Sequence, residues 1–175
     1  MTGRGVPVAE SLLLAVWIGA ATLFALVVAP AAFAVLPTRT LAGALVGRVL
    51  PVIFYSGVVI GSIIAIVDLM GRTGSWGRTA AGAVLALACA VAQLVVGSRI
   101  EQLRVAIGGP LDALAADDPR RLAFGRLHAI SVGWLGIAMV AAIIALWLAA
   151  RSLTPRNDAV TPKSAATRDL QAAAE

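Results

Sequence analysis

The side chains best suited to chemistry lie together in the last third of the chain. Phe124-Gly125-Arg126-Leu127-His128-Ala129-Ile130-Ser131 holds the only histidine of the 175 residues and begins a long apolar run. An imidazole changes its charge near neutral pH, and a neighbouring carboxylate favours its charged form. This stretch therefore predicts a site that relays a proton or binds a ligand.

Helical spacing brings other polar groups to this histidine. Steps of three and four residues place Arg121, Phe124, His128 and Ser131 on one face of a helix. If this helix forms a symmetric hairpin with the apolar run before it, Glu101 lies opposite His128. Polar groups at membrane depth are costly and usually face the interior of a bundle. We predict a polar site at the membrane boundary, made by Arg99, Glu101, Arg121, Phe124, His128 and Ser131.

A purely structural role for these residues is the alternative. His128 would then cap or bridge helices, and Glu101 would pair only with a nearby arginine: Arg104, Arg121 or Arg126. On the sequence alone the structural interpretation is favoured over a ligand or proton role.

Two further polar residues stand within or beside apolar runs. Gln93 predicts a hydrogen bond between helices, which such residues commonly make in membranes. Asp68 predicts an ion pair with Arg72, four residues later. We expect both to be contacts that hold helices together.

The residue inventory limits the cofactors of this chain. Zinc needs three or four Cys, His or acidic ligands, but the chain has a single histidine and a single cysteine, Cys89. We therefore predict no metal and no cofactor. The alternative is copper or haem, with His128 as a ligand and Met70, Met139 or Cys89 as soft ligands for copper. No nucleophile, base and acid converge, so we expect no enzyme activity.

Composition places these residues in a membrane. Hydrophobic residues make up 60% of the chain and charged residues 13%, whereas soluble domains are about 45–50% apolar and about 25% charged. Only helices or closed barrels satisfy the backbone in lipid, and the apolar runs lack the alternation of strands. The sequence predicts an all-α integral membrane protein. Its net charge of +5 reflects arginines beside lipid headgroups rather than nucleic acid binding.

Four apolar runs reach the roughly 20 residues that a membrane crossing needs. We predict a four-helix transmembrane domain over residues 8–150, with spans near 10–36, 46–69, 79–100 and 125–150, and a disordered polar tail over 151–175. Helices three and four are expected to form a hairpin that extends beyond the bilayer. A cleaved signal peptide ending at Ala32-Phe33-Ala34 is the alternative for the first run, although that run exceeds the usual length.

Short signals mark the starts of two helices. The second helix is expected to begin after a threonine cap, Thr38 or Thr40, and the fourth after Asp117 or Asp118, with Pro119 in its first turn. These residues supply an oxygen to the free amide groups at a helix start.

Glycine and proline predict stops, bends and close contacts. Gly108-Gly109-Pro110 should end the third helix, and Pro30 should end or kink the first. Gly43-x-x-x-Gly47 and Gly57-x-x-x-Gly61 have the spacing that lets helices approach closely in lipid.

The basic residues do not decide the orientation. Four spans divide the 14 Lys and Arg into seven on each side of the membrane. We expect an inner (plasma) membrane protein with both termini in the cytoplasm. Its expected partners are the lipid bilayer and either further copies of the chain or other membrane proteins.

Several blocks resemble one family of membrane proteins. They are Val28–Pro37 at the end of helix one, Ala42-Gly43 with Pro51 and Tyr55 in helix two, and Ser98–Arg104 at the exit of helix three. At the start of helix four they are Asp118-Pro119 and Phe124-x-x-Leu127-His128-x-x-Ser131. These blocks resemble the bacterial proteins that carry the domain of unknown function 4149, which are similar to eukaryotic transmembrane protein 205. The resemblance covers about residues 8–150. Leu135 stands where family members often carry an asparagine, so a role for that asparagine is not implied here.

The resemblance implies a four-helix membrane protein without an established activity. The eukaryotic relative is associated with tolerance of a platinum drug, which implies efflux or trafficking but names no substrate. We therefore predict a multi-pass membrane protein that acts in transport, stress tolerance or the assembly of a membrane complex. The alternative is a copper- or haem-associated membrane protein that uses His128.

Overall fold

Four long helices make up nearly all of the chain in the computed structural model, which describes residues 5–71 and 75–153. They are α1 (Gly5–Val35), α2 (Arg39–Met70), α3 (Trp76–Ile107) and α4 (Pro119–Leu153). Each is long and apolar enough to cross a membrane. This confirms the prediction of an all-helical protein with four membrane-length helices. Most helix ends lie several residues beyond the predicted spans. Arg72 and the tail from residue 154 lie outside the described residues.

The predicted caps begin two of these helices. The Thr38 hydroxyl accepts a hydrogen bond from the Leu41 amide at 3.2 Å, at the start of α2. The Asp118 carboxylate accepts from the Arg120 amide at 2.8 Å, and Pro119 is the first residue of α4. Both predictions are confirmed, because side-chain oxygens satisfy amide groups that have no partner inside the helix.

The loop between α3 and α4 begins at Gly108, as the sequence Gly108-Gly109-Pro110 predicted. Gly108 ends α3 with φ of 66°, a left-handed conformation that suits a residue without a side chain. A short 3-10 turn, Leu111–Ala113, then leads to the loop before α4. The two helices pack side by side. Their extension beyond the bilayer stays a prediction.

Glycines bring α2 and α3 into close contact. A Cβ atom at Gly61 would lie 2.6 Å from both the Ala86 amide nitrogen and the Gly82 carbonyl oxygen, so only glycine fits there. A Cβ at Gly43 would meet nothing within 4 Å. The second of the two glycine pairs therefore makes a close helix contact in lipid, and Gly43 of the first does not.

The core runs through the middle of the bundle. Leu14 and Trp17 of α1 pack among buried side chains of the other helices, and the Trp17 indole donates to the Ile53 carbonyl at 3.0 Å. Helix α4 contributes small buried residues, which let it lie close to its neighbours: Ala138, Ala141, Ala142, Ala145 and Ala149. Large apolar side chains cover the outer faces of all four helices, as expected where lipid surrounds them.

Two helices contain π-helical segments. In α1 the segment Phe24–Val28 lies just before Pro30, whose ring would clash with a carbonyl of the preceding turn in a regular helix. The wider turn accommodates this proline, and the helix continues to Val35 rather than ending. A second segment, Val91–Gly97, interrupts α3. Such segments often accompany functional sites, and they rotate the face that the following residues present.

Candidate functional site

The residues predicted to form the boundary site lie at one end of the bundle, where α2 begins and α3 leads into α4. Ser131 is buried, and Arg121 and Phe124 are half-buried. The other three are exposed: Arg99, Glu101 and His128. Arg99 lies apart, beside Arg126 in a separate groove. The predicted set therefore shares an end of the bundle but not one site.

Glu101 has a different partner from the one predicted for the hairpin. Its Oε2 lies 3.6 Å from Arg104 Nη1 in an exposed ion pair, which is one of the structural alternatives. His128 takes no part in the ion pairs and side-chain hydrogen bonds formed among the described residues. The π segment Val91–Gly97 changes the face that the rest of α3 presents, because each inserted residue turns the helix by about 100°. Helices α3 and α4 still lie side by side at this level, since Arg104 reaches the Phe124 ring and both Glu101 and Ser131 line one cavity.

A cavity of about 380 Å³ opens at this end of the bundle. Three arginines from three helices line it: Arg39 of α2, Arg104 of α3 and Arg121 of α4. Asp112, in the loop before α4, is the only carboxylate in the lining. Most of the remaining lining is apolar and includes two phenylalanine rings. We call this feature the arginine cavity.

Neighbouring contacts hold two of these arginines in place. The Arg104 guanidinium lies 6.0 Å from the centroid of the Phe124 ring, at the outer limit of a cation–π contact. Arg121 Nη1 donates to the Leu114 carbonyl at 3.0 Å. Neither contact neutralises a guanidinium, and the only carboxylate paired with either arginine among the described residues is the exposed Glu101, 3.6 Å from Arg104.

The excess positive charge of this end comes from side chains. Helices α2 and α4 begin here and α1 and α3 end here, so the partial positive charges of two amino ends are offset by the partial negative charges of two carboxyl ends. Residues 36–48 and 97–128 together contain seven arginines and four carboxylates. An anion at this end would therefore be favoured by the arginine side chains.

One of those carboxylates, Asp118, is already paired with Arg120. The Arg120 side chain and amide both donate to it, and these hydrogen bonds lower the pKa of Asp118 below its ordinary value. Asp118 is therefore ionised at neutral pH and paired with Arg120, and it does not line the arginine cavity.

Two smaller cavities adjoin the arginine cavity. One, of about 350 Å³, shares Arg104 with it and is also lined by Gln93, Glu101 and Ser131. The other, of about 280 Å³, is lined by His128 and again by Ser131, with apolar side chains around them. The structure thus brings most of the predicted residues to three neighbouring cavities.

Gln93 lines one of these cavities, and the interhelical hydrogen bond predicted for it does not occur in the described structure.

A second polar cluster lies at the opposite end of the bundle. Arg78 of α3 donates from Nε to Asp68 Oδ2 of α2 at 2.6 Å and from Nη2 to Asp68 Oδ1. Glu10 of α1 approaches the same guanidinium, with Oε2 3.7 Å from Arg78 Nε. All three side chains are buried. We call Glu10, Asp68 and Arg78 the closed cluster, since three helices enclose its charges.

The predicted partner of Asp68 was Arg72, which lies outside the described residues. Both Asp68 oxygens bind Arg78 instead, because α3 folds back along α2 after the turn and returns an arginine to the level of Asp68. The sequence analysis did not identify Glu10 or Arg78 as partners of Asp68, and it placed the arginines in general beside lipid headgroups. A signal was present: one acid near the start of α1, one near the end of α2 and one arginine at the start of α3 all lie at the same end of an antiparallel bundle.

Metal ligands do not gather in the described part of the chain. Over residues 5–71 and 75–153, no three His, Cys, Asp or Glu side chains lie close enough to hold one ion. Cys89 is buried in the core against the glycine face of α2. The copper or haem alternative rests on His128 and stays a prediction.

Comparison with known proteins gives one family match. The family model for a domain of unknown function (DUF4149) matches residues 12–108, which is more than half of the chain. No curated protein and no solved structure matches. The matched region covers most of α1 and all of α2 and α3, so it contains Asp68, Arg78 and Arg104. Glu10 and the block around His128 lie outside it.

Proposed function

This chain belongs to the family of the domain of unknown function (DUF4149), and we propose that it is a multi-pass membrane protein that transports an amphipathic anion, which it binds in the arginine cavity. The chemical class is a phosphate or carboxylate group attached to an apolar body, as in an anionic phospholipid. The proposed activity is binding and transfer rather than catalysis. With both termini in the cytoplasm, as predicted, the arginine cavity would open on the outer face of the membrane.

The observation that carries this proposal is the convergence of Arg39, Arg104 and Arg121 on one largely apolar cavity. A guanidinium presents planar donors that match phosphate and carboxylate oxygens, often in pairs. The apolar remainder of the lining suits an acyl chain. Three arginines and a single aspartate leave an excess of positive charge that an anionic group would neutralise.

The pairing of these arginines within the protein is weak. Among the described residues, Arg39 and Arg121 have no carboxylate within 4.0 Å, and Arg104 has only the exposed Glu101 at 3.6 Å. Exposed ion pairs of this kind contribute little and exchange readily. A ligand anion would therefore displace few stabilising contacts when it binds.

The adjoining cavities supply room for an apolar body. The two smaller cavities share side chains with the arginine cavity and reach Ser131, which is 3% exposed inside the bundle. A headgroup held by the arginines would have its chain beside these apolar surfaces.

Native mass spectrometry of the full chain in detergent tests the proposal. Phosphatidylglycerol and phosphatidylcholine, matched in acyl chains, would be titrated against wild type and against Arg39→Gln, Arg104→Gln and Arg121→Gln. We expect the anionic lipid to bind more tightly and each substitution to weaken it by about tenfold, the loss of one charge-assisted hydrogen bond.

Arg48→Gln is the matched control, because Arg48 is exposed on α2 and does not line the arginine cavity. It should leave lipid binding unchanged. Equal affinity for the two lipids, or an equal loss in the Arg48 and Arg104 variants, would contradict the proposal.

A further inference from the structure

We infer that the Glu10 carboxyl in the closed cluster is a proton-binding site, which takes up a proton from water at that face of the membrane and releases it there. This site lies at the end of the bundle opposite the arginine cavity. It goes beyond the proposed transport of an anion, and it stands whether or not a lipid binds.

The contacts of the two carboxylates are unequal. Both Asp68 oxygens accept hydrogen bonds from Arg78. Glu10 is 4% exposed, and neither of its oxygens has a hydrogen-bond partner among the described residues. Its nearest cation is Arg78, at 3.7 Å, which is beyond hydrogen-bond distance. Glu10 is thus a buried polar group beside an arginine whose nearest donor, Nε, is already bonded to Asp68.

The net charge of the closed cluster depends on whether Glu10 carries a proton. Two ionised carboxylates and one guanidinium would leave a net negative charge enclosed by three helices. Burying a carboxylate without hydrogen bonds costs far more than burying a neutral carboxyl group. A proton on Glu10 makes the cluster neutral and leaves the Asp68–Arg78 pair intact.

Among the described residues, the ionisable groups at this end on α1 and the helices packed on it are those of the closed cluster and Arg151. Glu10 is the only ionisable residue in the described part of α1, while α2 and α3 contribute Asp68 and Arg78. Helix α4 also packs on α1, and its ionisable residue at this end is Arg151. The Arg151 guanidinium lies 3.5 Å from the centroid of the Trp147 ring.

Loss of the proton would change the contacts of Arg78. An ionised Glu10 would attract Arg78 Nε, which now donates to Asp68 at 2.6 Å and lies 3.7 Å from Glu10. Because Asp68 and Arg78 belong to α2 and α3, the protonation state of Glu10 would alter how α1 is tied to these two helices.

Infrared difference spectroscopy of the purified full chain, recorded between acidic and alkaline buffers, tests the inference. A protonated carboxyl group has a carbonyl band that an ionised one lacks. We expect the pH-dependent carbonyl signal of wild type to include a band from Glu10 that disappears in Glu10→Gln, while the bands of the exposed carboxyl groups remain. Glu101→Gln is the matched control, because the Glu101 side chain is 65% exposed at the other end of the bundle, and it should keep the band.

The inference would be overturned if Glu10→Gln removed no pH-dependent band, or if the band it removed did not change with pH over the range where the protein is folded. Folding supplies a second measurement. Glutamine mimics the neutral carboxyl group, so Glu10→Gln should fold and match the stability of wild type in acidic buffer. A Glu10→Gln protein that fails to fold would show that the charged form is required, and it would also overturn the inference.

Discussion

At one end of the bundle Arg78 is enclosed by Glu10 and Asp68, whereas at the other end three arginines line a cavity that contains one carboxylate. In the closed cluster the positive charge is used within the fold, because its removal would leave two acids buried without a cation. In the arginine cavity the positive charges have few partners in the fold. The difference shows that charge at a membrane boundary can be paired within the fold at one place and left with few partners at another within the same small bundle.

The closed cluster should give the largest effect on stability. Arg78→Met keeps the length of the side chain but leaves Asp68 buried without its partner, which should lower the free energy of unfolding by about 3–5 kcal/mol. Titration with sodium dodecyl sulfate in mixed micelles measures this. Adding Asp68→Asn to the Arg78 variant should restore part of the loss, because one buried charge is removed.

Arg104→Met is the matched change at the open end. The Arg104 side chain is 41% exposed and pairs only with an exposed glutamate, so the variant should lose less than about 1 kcal/mol. Equal losses in the Arg78 and Arg104 variants would remove the distinction between the two ends.

The two glycine pairs of α2 also differ from each other, and the stability effects expected from changing them are smaller than for Arg78. Gly61→Ala would place a methyl group 2.6 Å from backbone atoms of α3, which cannot move aside as a side chain can. We expect a loss of about 1–3 kcal/mol from overpacking. Gly43→Ala meets open space near the arginine cavity and should be neutral or stabilise by up to about 1 kcal/mol. The same detergent titration compares the two, and a Gly61 variant as stable as the Gly43 variant would argue against the close contact.

The smallest expected effect concerns Asp118 at the open end. Arg120 lowers the pKa of this carboxyl in the folded state, so its stabilising contribution is present above the unfolded pKa of about 3.9. The contribution is lost as the pH falls through the lowered value. Asp118→Asn keeps a capping oxygen but loses the charge. Its melting temperature should lie slightly below that of wild type at pH 7, and the two should converge in strong acid. A gap that widens in acid would contradict this sign.

Local sequence signals were enough to predict the helices and their caps. Apolar length indicated the four helices, and Thr38, Asp118 and Gly108 mark boundaries through contacts with their own neighbours in the chain. The partner of Asp68 could not be predicted in this way. It depends on how far α3 folds back along α2, which is a property of two helices together.

The candidate site, too, was only partly predictable from local sequence signals. Arg121 and Phe124 were predicted from helical spacing, and both line the arginine cavity. Arg39 joins them only because α2 begins beside α4, and no spacing rule connects residues so far apart in the chain. The π segment Val91–Gly97 carries no proline or other strong signal, so the face that α3 presents after it was not predictable.

The most direct test of the arginine cavity is a comparison of two thiol reagents of opposite charge. Gly125 lines the cavity and has open space around it, so Gly125→Cys should fold and expose its thiol there. The native Cys89 is buried and serves as an unreactive background. We expect the anionic sulfonatoethyl methanethiosulfonate to react faster than the cationic trimethylammonium-ethyl reagent, with a rate ratio that falls in high salt and when Arg104 and Arg121 are changed to Gln. Equal rates, or a faster reaction with the cation, would show that the cavity does not attract anions and would contradict the proposed function.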